Sequence, residues 1–288
     1  SRVMFTVNEQ LSRVQENGRY LTDVLLHDIR MAGYSGCRSI DEVVPNIIAN
    51  RPPIFASLTD GITVFENGAG WDNPTALTRV AGSDVITLQS AQGSGVSLRA
   101  NMITDTATIR MIWNPDRLAA NDLILISDCS HADLFRALAI KHGTIIVHNN
   151  IANTGNQLSK AYAKDAQLML FDAHTYFIAS ANAELGLYQY SFNSDTATLL
   201  AEGVENMQLL LAEDTSGDQE PDVYVNATAV MDWAAVIGVR VGLLMRSANN
   251  VATEARAFTF NGANANTGND TRVRKAFWSY AAMRNRIN

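Results

Sequence analysis

The sequence predicts an α+β fold in which one long N-terminal helix precedes many short strands. The opening segment places apolar side chains at helical spacing, whereas the rest of the chain alternates short β-like runs with turn residues. With 288 residues, of which 47% are hydrophobic and 18% charged, the chain can bury a large core. We therefore expect a long amphipathic helix packed on an antiparallel, β-sheet-rich head.

The helix is predicted over residues 5–31, which gives a length of about 40 Å at ~1.5 Å per residue. Gly33 and Gly36 supply its stop signal. Apolar residues recur on one face, with Gly18 where the series lacks a side chain: Val7, Leu11, Val14, Leu21 and Leu25.

Runs of β-prone residues bounded by turn residues predict the strands. They cover residues 61–65, 84–88, 108–113, 123–127, 144–148, 168–171, 175–179, 186–192, 204–212, 223–225, 236–246 and 273–283. Segment 236–246 alternates as a half-buried strand does, and 273–283 is apolar on both faces, which favours an interior strand. We expect a turn at the glycine-rich segment 93–95 and a loop at 261–270.

Charge and hydropathy exclude several classes of function. Asp and Glu exceed Lys and Arg by 29 to 22, a net charge of -7, which disfavours nucleic acid as a partner. No apolar run is long enough to span a bilayer. The sequence begins at Ser1 rather than Met, which favours a processed or truncated chain. Either the protein is soluble or its membrane anchor was removed.

Signatures of catalysis are missing from the sequence. It contains no Gly-x-Ser-x-Gly elbow, no phosphate-binding loop ending in Lys-Ser/Thr and no His-Glu-x-x-His. The five histidines never stand three or four residues apart, so none forms a helical metal pair. We expect a protein that is not an enzyme, has no catalytic residues and requires no cofactor.

Two cysteines, Cys37 and Cys129, leave two alternatives open. A disulfide between them would close a loop of about 92 residues and stabilise the fold by roughly 4.5 kcal/mol on the chain-entropy model. The other alternative is a pair of unrelated buried thiols.

An acidic segment at 213–222 has oxygen-bearing side chains at alternate positions, a spacing that suits calcium. Its candidate ligands are Asp214, Ser216, Asp218, Glu220 and Asp222. The segment departs from a full EF-hand loop, because Gln219 stands where the sharp-turn Gly is usual and Val225 where Glu is usual. The alternative is an acidic, solvated hairpin.

Six strings along the chain are informative together: Leu-Ser-Arg-Val-Gln-Glu-Asn-Gly-Arg-Tyr at 11–20, Asp-Ile-Arg-Met-Ala-Gly-Tyr-Ser-Gly-Cys at 28–37, Asn-Asp-Leu-Ile-Leu-Ile-Ser-Asp-Cys at 121–129, Gly-Val-Glu-Asn-Met at 203–207, Val-Arg-Val-Gly-Leu-Leu at 239–244 and Arg-Asn-Arg at 284–286. These strings closely resemble the PilW family of type IV pilus minor pilins. The resemblance spans nearly the whole chain and implies a pilin-like fold.

The resemblance also implies how the protein is built and where it resides. Residues 1–33 would be the C-terminal half of a pilin spine helix, and 34–288 a β-rich head with room for two packed β subdomains. An upstream hydrophobic segment, cleaved and methylated by a prepilin peptidase, would hold the protein in the inner membrane with its head in the periplasm. After assembly the protein would lie in the extracellular pilus, at the tip. In the oxidising periplasm Cys37 and Cys129 would form a disulfide.

The function that the resemblance implies is structural. A minor pilin of this kind joins other minor pilins, a tip adhesin and the major pilin in a complex that primes pilus assembly, and so serves cell adhesion and twitching motility. The charged helix flank Glu9, Arg13, Glu16 and Arg19 is the candidate interface, with plain solubility as the alternative. Rival hypotheses are a minor pseudopilin of a type II secretion system, a calcium-dependent pilus-tip adhesin and a periplasmic enzyme.

Overall fold

A computed structural model describes residues 2–36, 42–50, 61–182, 184–265 and 270–286. Its one α-helix, α1, spans Arg2–Met31, and short 3-10 turns cover Glu66–Gly68, Ala227–Ala229 and Trp233–Ala235. The strands are β1 Asn46–Ile47, β2 Ile62–Phe65, β3 Thr78–Arg79, β4 Val85–Ser97, β5 Ile109–Arg110, β6 Leu123–Ser127, β7 Ala132–Arg136, β8 Ala139–Lys141, β9 Ile145–Val147, β10 Gln167–Ala181, β11 Glu184–Ser191, β12 Thr196–Glu202, β13 Val204–Glu213, β14 Val223–Val225, β15 Val236–Arg246, β16 Phe258–Phe260, β17 Ala263–Ala265 and β18 Arg274–Ala282.

Strand β10 organises a nine-stranded sheet. One edge of β10 pairs with β4 over residues 167–176 and with β3 at Ala179 and Ser180. Its other edge pairs with β6 over 167–170 and with β11 over 174–181. The side chains of Phe171, Tyr176 and Phe177 are fully buried. A single long strand therefore holds four neighbours in register.

A second, four-stranded antiparallel sheet has the order β14-β13-β15-β18. Strands β16 and β17 form a hairpin, and β5, β9 and β8 form a three-stranded sheet.

The two larger sheets are joined covalently at Gly203, between β12 and β13. Gly203 has a φ of +82°, and a Cβ there would lie 2.6 Å from the carbonyl oxygen of Arg246, so the turn requires glycine. Buried Asp84 adds a polar link, because its carboxylate accepts the N–H of Asn67 at 2.7 Å and the N–H of Leu209, in β13, at 2.8 Å. Burial raises the pKa of Asp84 despite these hydrogen bonds.

The main core lies between the two sheets and includes one face of α1. Leu21, Leu25 and Ile29 of the helix are fully buried there. They share a cluster with side chains of both sheets: Ile86, Leu88, Tyr176, Ile178, Leu187, Met207, Leu209, Leu211, Val239, Val241 and Leu243. Burying each of the three helix side chains contributes roughly 2 kcal/mol.

The predicted α+β class is wrong. Strands account for 42% of the residues and helices for 14%, so the protein is mostly β with a single α-helix in the part that the structure describes. The helix also does not lie on one antiparallel sheet as predicted. It enters a core shared by two sheets, because the chain crosses from one sheet to the other at Gly203.

The predicted helix seam is buried only in part. Val14, Leu21 and Leu25 are buried, whereas Val7 and Leu11 are half-buried. Gly18 faces the side chain of Phe277 in β18, and a Cβ at Gly18 would lie 2.3 Å from that ring. The gap in the apolar seam is therefore the place where an aromatic ring contacts the helix backbone.

Glycines mislead the strand prediction in two places. Segment 93–95, predicted as a turn, lies inside β4, where Gly93 and Gly95 have positive φ and the pairing with β10 shifts register. Segment 261–270, predicted as a loop, contains strand β17 after a turn at Asn261 and Gly262. Both turn residues have positive φ, the conformation in which an Asn-Gly pair closes a hairpin.

Two further strand predictions are wrong about burial and position. Strand β15, predicted as half-buried, is buried at nearly every position, because Tyr280 lies over Gly238 and Trp278 lies over Gly242. Strand β18, predicted as interior, is the last strand of its sheet. Its apolar residues are covered by α1 on one face and by side-chain packing such as Phe260 on Trp278 on the other, not by a further strand.

We predict that Gly18→Leu lowers the free energy of unfolding by about 1–3 kcal/mol, because the new side chain overlaps the ring of Phe277. Phe277→Ala should vacate that space. The double variant should therefore be more stable, by at least about 1 kcal/mol, than the sum of the two single changes implies. Urea denaturation of the three variants measures this, and strictly additive losses would show that the two residues are not in contact.

Candidate functional site

His174, in β10, lies between two carboxylates and links the sheet to the helix. Its Nδ1 is 2.8 Å from Asp28 Oδ2 of α1, and its Nε2 is 3.3 Å from Asp172 Oδ2. The same Asp28 oxygen accepts the hydroxyl of Tyr176 at 2.5 Å, and Gln189 Nε2 donates to that hydroxyl at 2.7 Å. We call these five residues the helix clamp, since they hold the C-terminal half of α1 against β10 and β11.

The helix clamp keeps His174 protonated at neutral pH. Burial by itself would lower the pKa of His174, but the hydrogen bonds that its ring donates to the carboxylates of Asp172 and Asp28 outweigh burial and raise it to about 9. Burial acts to raise the pKa of Asp28, yet His174 and Tyr176 hold it below its ordinary value. The clamp is thus an ion pair at neutral pH. The spacing of Asp172, His174 and Tyr176 on one strand face is the sequence signal that could have found it.

The charged flank predicted as an interface lies on the surface. Glu9, Arg13, Glu16 and Arg19 are all exposed. Arg13 Nη2 is 3.0 Å from Glu9 Oε1, an i,i+4 pair whose side chains are 68% and 46% exposed, and such a pair contributes little to stability. Exposure agrees with either reading of the flank, so its role as an interface stays a prediction.

Arg13 also borders a small cleft that sequence reasoning did not find. The cleft has a volume of about 130 Å³ and separates the helix from the junction of the two sheets. Glu184 and Glu202 stand on its far side, and Asn17 Nδ2 donates to the carbonyl oxygen of Glu202 at 3.5 Å. The two acids place negative charge opposite Arg13.

The first turns of α1 carry exposed apolar residues. Met4 and Phe5 are 71% and 72% exposed. Val7 and Leu11 line a groove of about 660 Å³ whose opposite wall includes Phe258. At this end of the helix Met4 and Phe5 are therefore exposed, whereas Val7 and Leu11 are half-buried.

The three residues of the Gly-Val-Glu string at 203–205 have three different structural roles. Gly203 makes the turn between the sheets, Val204 is buried in the main core, and Glu205 forms ion pairs. Glu205 Oε2 is 2.6 Å from Nε of Arg274, whose side chain is 7% exposed, and Glu205 Oε1 is 3.7 Å from Arg246 Nη1. These pairs tie the start of β13 to the end of β15 and the start of β18.

The acidic segment forms a turn organised by its own carboxylates. Asp214 accepts the backbone N–H groups of Gly217, at 2.6 Å, and Gln219, at 2.8 Å. Asp222 Oδ2 accepts the N–H of Thr215 at 2.7 Å and that of Ser216 at 2.9 Å. Gln219 has a φ of 69°, so the chain makes its left-handed turn there without a glycine.

The structure does not gather the predicted calcium ligands around one point. The oxygens of Asp214 and Asp222 are directed at loop N–H groups, and the side chain of Asp218 accepts the N–H of Glu220 at 3.0 Å. No group of three His, Cys, Asp or Glu residues suited to a metal occurs in the part of the chain that the structure describes. Calcium binding by Asp214, Ser216, Asp218, Glu220 and Asp222 stays a prediction.

The predicted disulfide involves Cys37, which lies outside the described residues. Cys129 lies just after β6, with a φ of 69°. Before Cys37, Gly36 lies close to Met169 in β10, the strand that pairs with β6. Pairing of Cys37 with Cys129 stays a prediction.

Together these features describe a β-rich head that holds one long helix by an apolar core and a half-buried ion pair. None of the described helices is long and apolar enough to cross a membrane. The exposed first turns of α1 and its charged flank are surfaces at which another protein could associate. The buried carboxylate of Asp84 and the guanidinium of Arg274 bind other groups of the head.

Residues 175–285 match the family model PilW, described as type IV Pilus-assembly protein W. This match supports a PilW-family protein, in agreement with the resemblance seen in the sequence strings, and it supports involvement in type IV pilus assembly. The matched region begins within β10, just after His174, and ends after β18. It includes Tyr176, Glu205 and the acidic segment. Comparison with curated proteins finds no match, and neither does comparison with solved structures.

We predict that stability contributed by His174 is lost as pH rises. Because the pKa of His174 is raised in the folded state, its stabilisation of the fold is fully present below the unfolded pKa of 6.5. That stabilisation is lost as the pH rises past the folded pKa of about 9. The shift corresponds to about 3 kcal/mol. Urea denaturation of the wild type and His174→Gln at pH 6, 8 and 10 should show their difference shrinking with pH. A difference that does not depend on pH would contradict the ion pair.

We predict that Asp222→Ala lowers the melting temperature at neutral pH more than Asp218→Ala, because Asp222 accepts several loop hydrogen bonds and Asp218 only one. Hydrogen bonds from Thr215 and Ser216 lower the pKa of Asp222, so its contribution is present above the unfolded value and is lost as pH falls. Differential scanning fluorimetry between pH 3 and 7 measures both effects.

The variant Asp222→Ala also tests the prediction that the segment binds calcium. If the segment binds calcium, millimolar calcium should raise the melting temperature of the wild type, and Asp222→Ala should abolish that rise. An unchanged melting temperature at millimolar calcium would contradict calcium binding.

Proposed function

We propose that this chain is a structural minor pilin that joins a complex of minor pilins, which initiates type IV pilus assembly and caps the fibre. The observation that carries the proposal is the match of residues 175–285 to the PilW pilus-assembly family. No catalysis is part of this role.

The helix supports the proposal. Its C-terminal half is anchored by Leu21, Leu25 and the helix clamp, whereas its first turns expose Met4 and Phe5. An anchored helix with an apolar protruding end suits a bundle in which several subunits pack helix against helix. The charged flank from Glu9 to Arg19 would then set the register between neighbouring helices.

The partners we propose are other minor pilins, the major pilin and a tip adhesin. In this account the head stands in the periplasm while an upstream helix anchors the protein in the inner membrane. The assembled protein then lies at the pilus tip outside the cell.

The proposal predicts that the purified head captures the head of at least one other minor pilin of its source. Arg13→Glu and Arg19→Glu should each weaken that binding at least tenfold in calorimetry, because both charges face the proposed neighbour. Lys141→Glu, an exposed charge reversal in β8, is the matched control and should leave binding unchanged.

Absence of binding to every minor-pilin head, together with normal piliation after deletion of the protein, would contradict the proposed function. Equal weakening by the helix variants and by Lys141→Glu would contradict the flank as the interface.

A further inference from the structure

The outer edge of β18 has a row of backbone groups whose direction can be assigned. Strands β15 and β18 pair without a register shift from Gly238 and Ala282 to Arg246 and Arg274. Just beyond the two ends, Met283 N–H donates to Ile237 at 2.9 Å and Ser247 N–H donates to Val273 at 2.9 Å. In an antiparallel ladder, hydrogen-bonded pairs alternate with pairs that are not hydrogen-bonded.

The odd-numbered residues of β18 therefore bond to β15, and the even-numbered residues direct their N–H and C=O groups away from the sheet. These outward residues are Arg274, Ala276, Trp278, Tyr280 and Ala282. Strand β18 is the terminal strand of its sheet, and no other described strand pairs with this edge.

Both ends of the edge are closed, which bounds the open stretch. The N–H of Arg284 donates to the carbonyl oxygen of Arg30, in the last turn of α1, at 3.3 Å. The N–H of Arg272 donates to Asp270 Oδ1 at 2.9 Å. Between these points the nine residues of β18 run for roughly 30 Å at about 3.4 Å per residue.

The side chains of β18 do not shield this edge. Trp278 and Tyr280 lie over Gly242 and Gly238 of β15, so they lean across the sheet and away from the edge. Ala276, near the middle of the open stretch, is exposed. The strand has no proline and no bulge, which proteins commonly use to prevent pairing at an edge, and its charged residues, Arg274 and Lys275, lie at one end only.

We propose that the edge of β18 binds an extended segment of another protein of the pilus-assembly complex, which adds to the sheet as a fifth strand. The unpaired N–H and C=O groups of alternate residues specify an extended backbone as the ligand. On the outer face, side chains of the added strand would lie beside Trp278 and Tyr280, so apolar residues at alternate positions of the segment fit.

The direction of the helix disfavours a second copy as the occupant. Gly18 lies at Phe277 and Arg30 lies at Arg284, so α1 runs parallel to β18. A symmetric antiparallel pair of β18 strands would point the two helices in opposite directions, whereas a bundle of spine helices needs them to point the same way. This step rests on the proposed function, and it names the surface that the partner uses.

Residue-resolved hydrogen exchange tests the proposal. In the isolated head, the amides of Ala276, Trp278 and Tyr280 should exchange rapidly, and those of Phe277 and Ser279 slowly. Addition of the separately purified heads of the other minor pilins, one at a time, should slow exchange at the three outward amides at least tenfold for the one that binds.

A proline substitution supplies the matched variant. Ala276→Pro removes an outward N–H and places a ring at the edge, a position where proline is tolerated. Ala276→Ser keeps the N–H. We expect at least tenfold weaker binding for Ala276→Pro than for Ala276→Ser, with both variants retaining the melting temperature of the wild type. If Ala276→Pro does not fold, exchange in the wild type decides.

The outcomes separate the two proposals. Binding of a minor-pilin head without protection of the outward amides would overturn strand addition and leave the proposed function standing. Binding of none of the heads would contradict the proposed function itself. Protection that rises with the concentration of this protein alone, together with a dimer in analytical ultracentrifugation, would overturn the heterologous partner in favour of a second copy.

Discussion

The structure depends on one apolar core that the helix and two sheets share. Leu21, Leu25 and Ile29 are fully buried between side chains of β10 and side chains of β13 and β15. Neither sheet by itself covers this face of the helix, so removal of the helix would expose apolar side chains of both sheets. Two polar links at the same junction fix how the helix and the two sheets are oriented. They are the hydrogen bond of Asp84 to β13 and the helix clamp.

This arrangement suits a protein whose role is assembly. The half-buried ion pair of Asp28 with His174 and the contact of Gly18 with Phe277 hold the helix in one orientation relative to the head. The surfaces proposed for partners therefore have defined positions relative to the head: the exposed first turns of α1, its charged flank and the edge of β18. The role proposed above needs a defined orientation between helix and head, because partners that contact both must meet them in one arrangement.

The sequence predicts the helix, most strands and the family, because periodicity and local strings carry that information. It does not predict the fold class or the burial of β15 and β18, since these depend on which strand lies beside which. Trp278 can cover Gly242 only after the two strands pair. The helix clamp was missed because Asp28 and His174 are far apart in sequence, although the alternation of Asp172, His174 and Tyr176 was visible.

Native-state hydrogen exchange in α1 tests the shared core most directly. If the core is shared, the amides from Leu21 to Ile29 should exchange with solvent only through global unfolding, at the same free energy as the amides of β10 and β13. The amides from Phe5 to Leu11 should exchange by local opening. If Leu21 to Ile29 exchanged at a much lower free energy than the strands, the helix would not be part of the core that joins the two sheets, and the account would be contradicted.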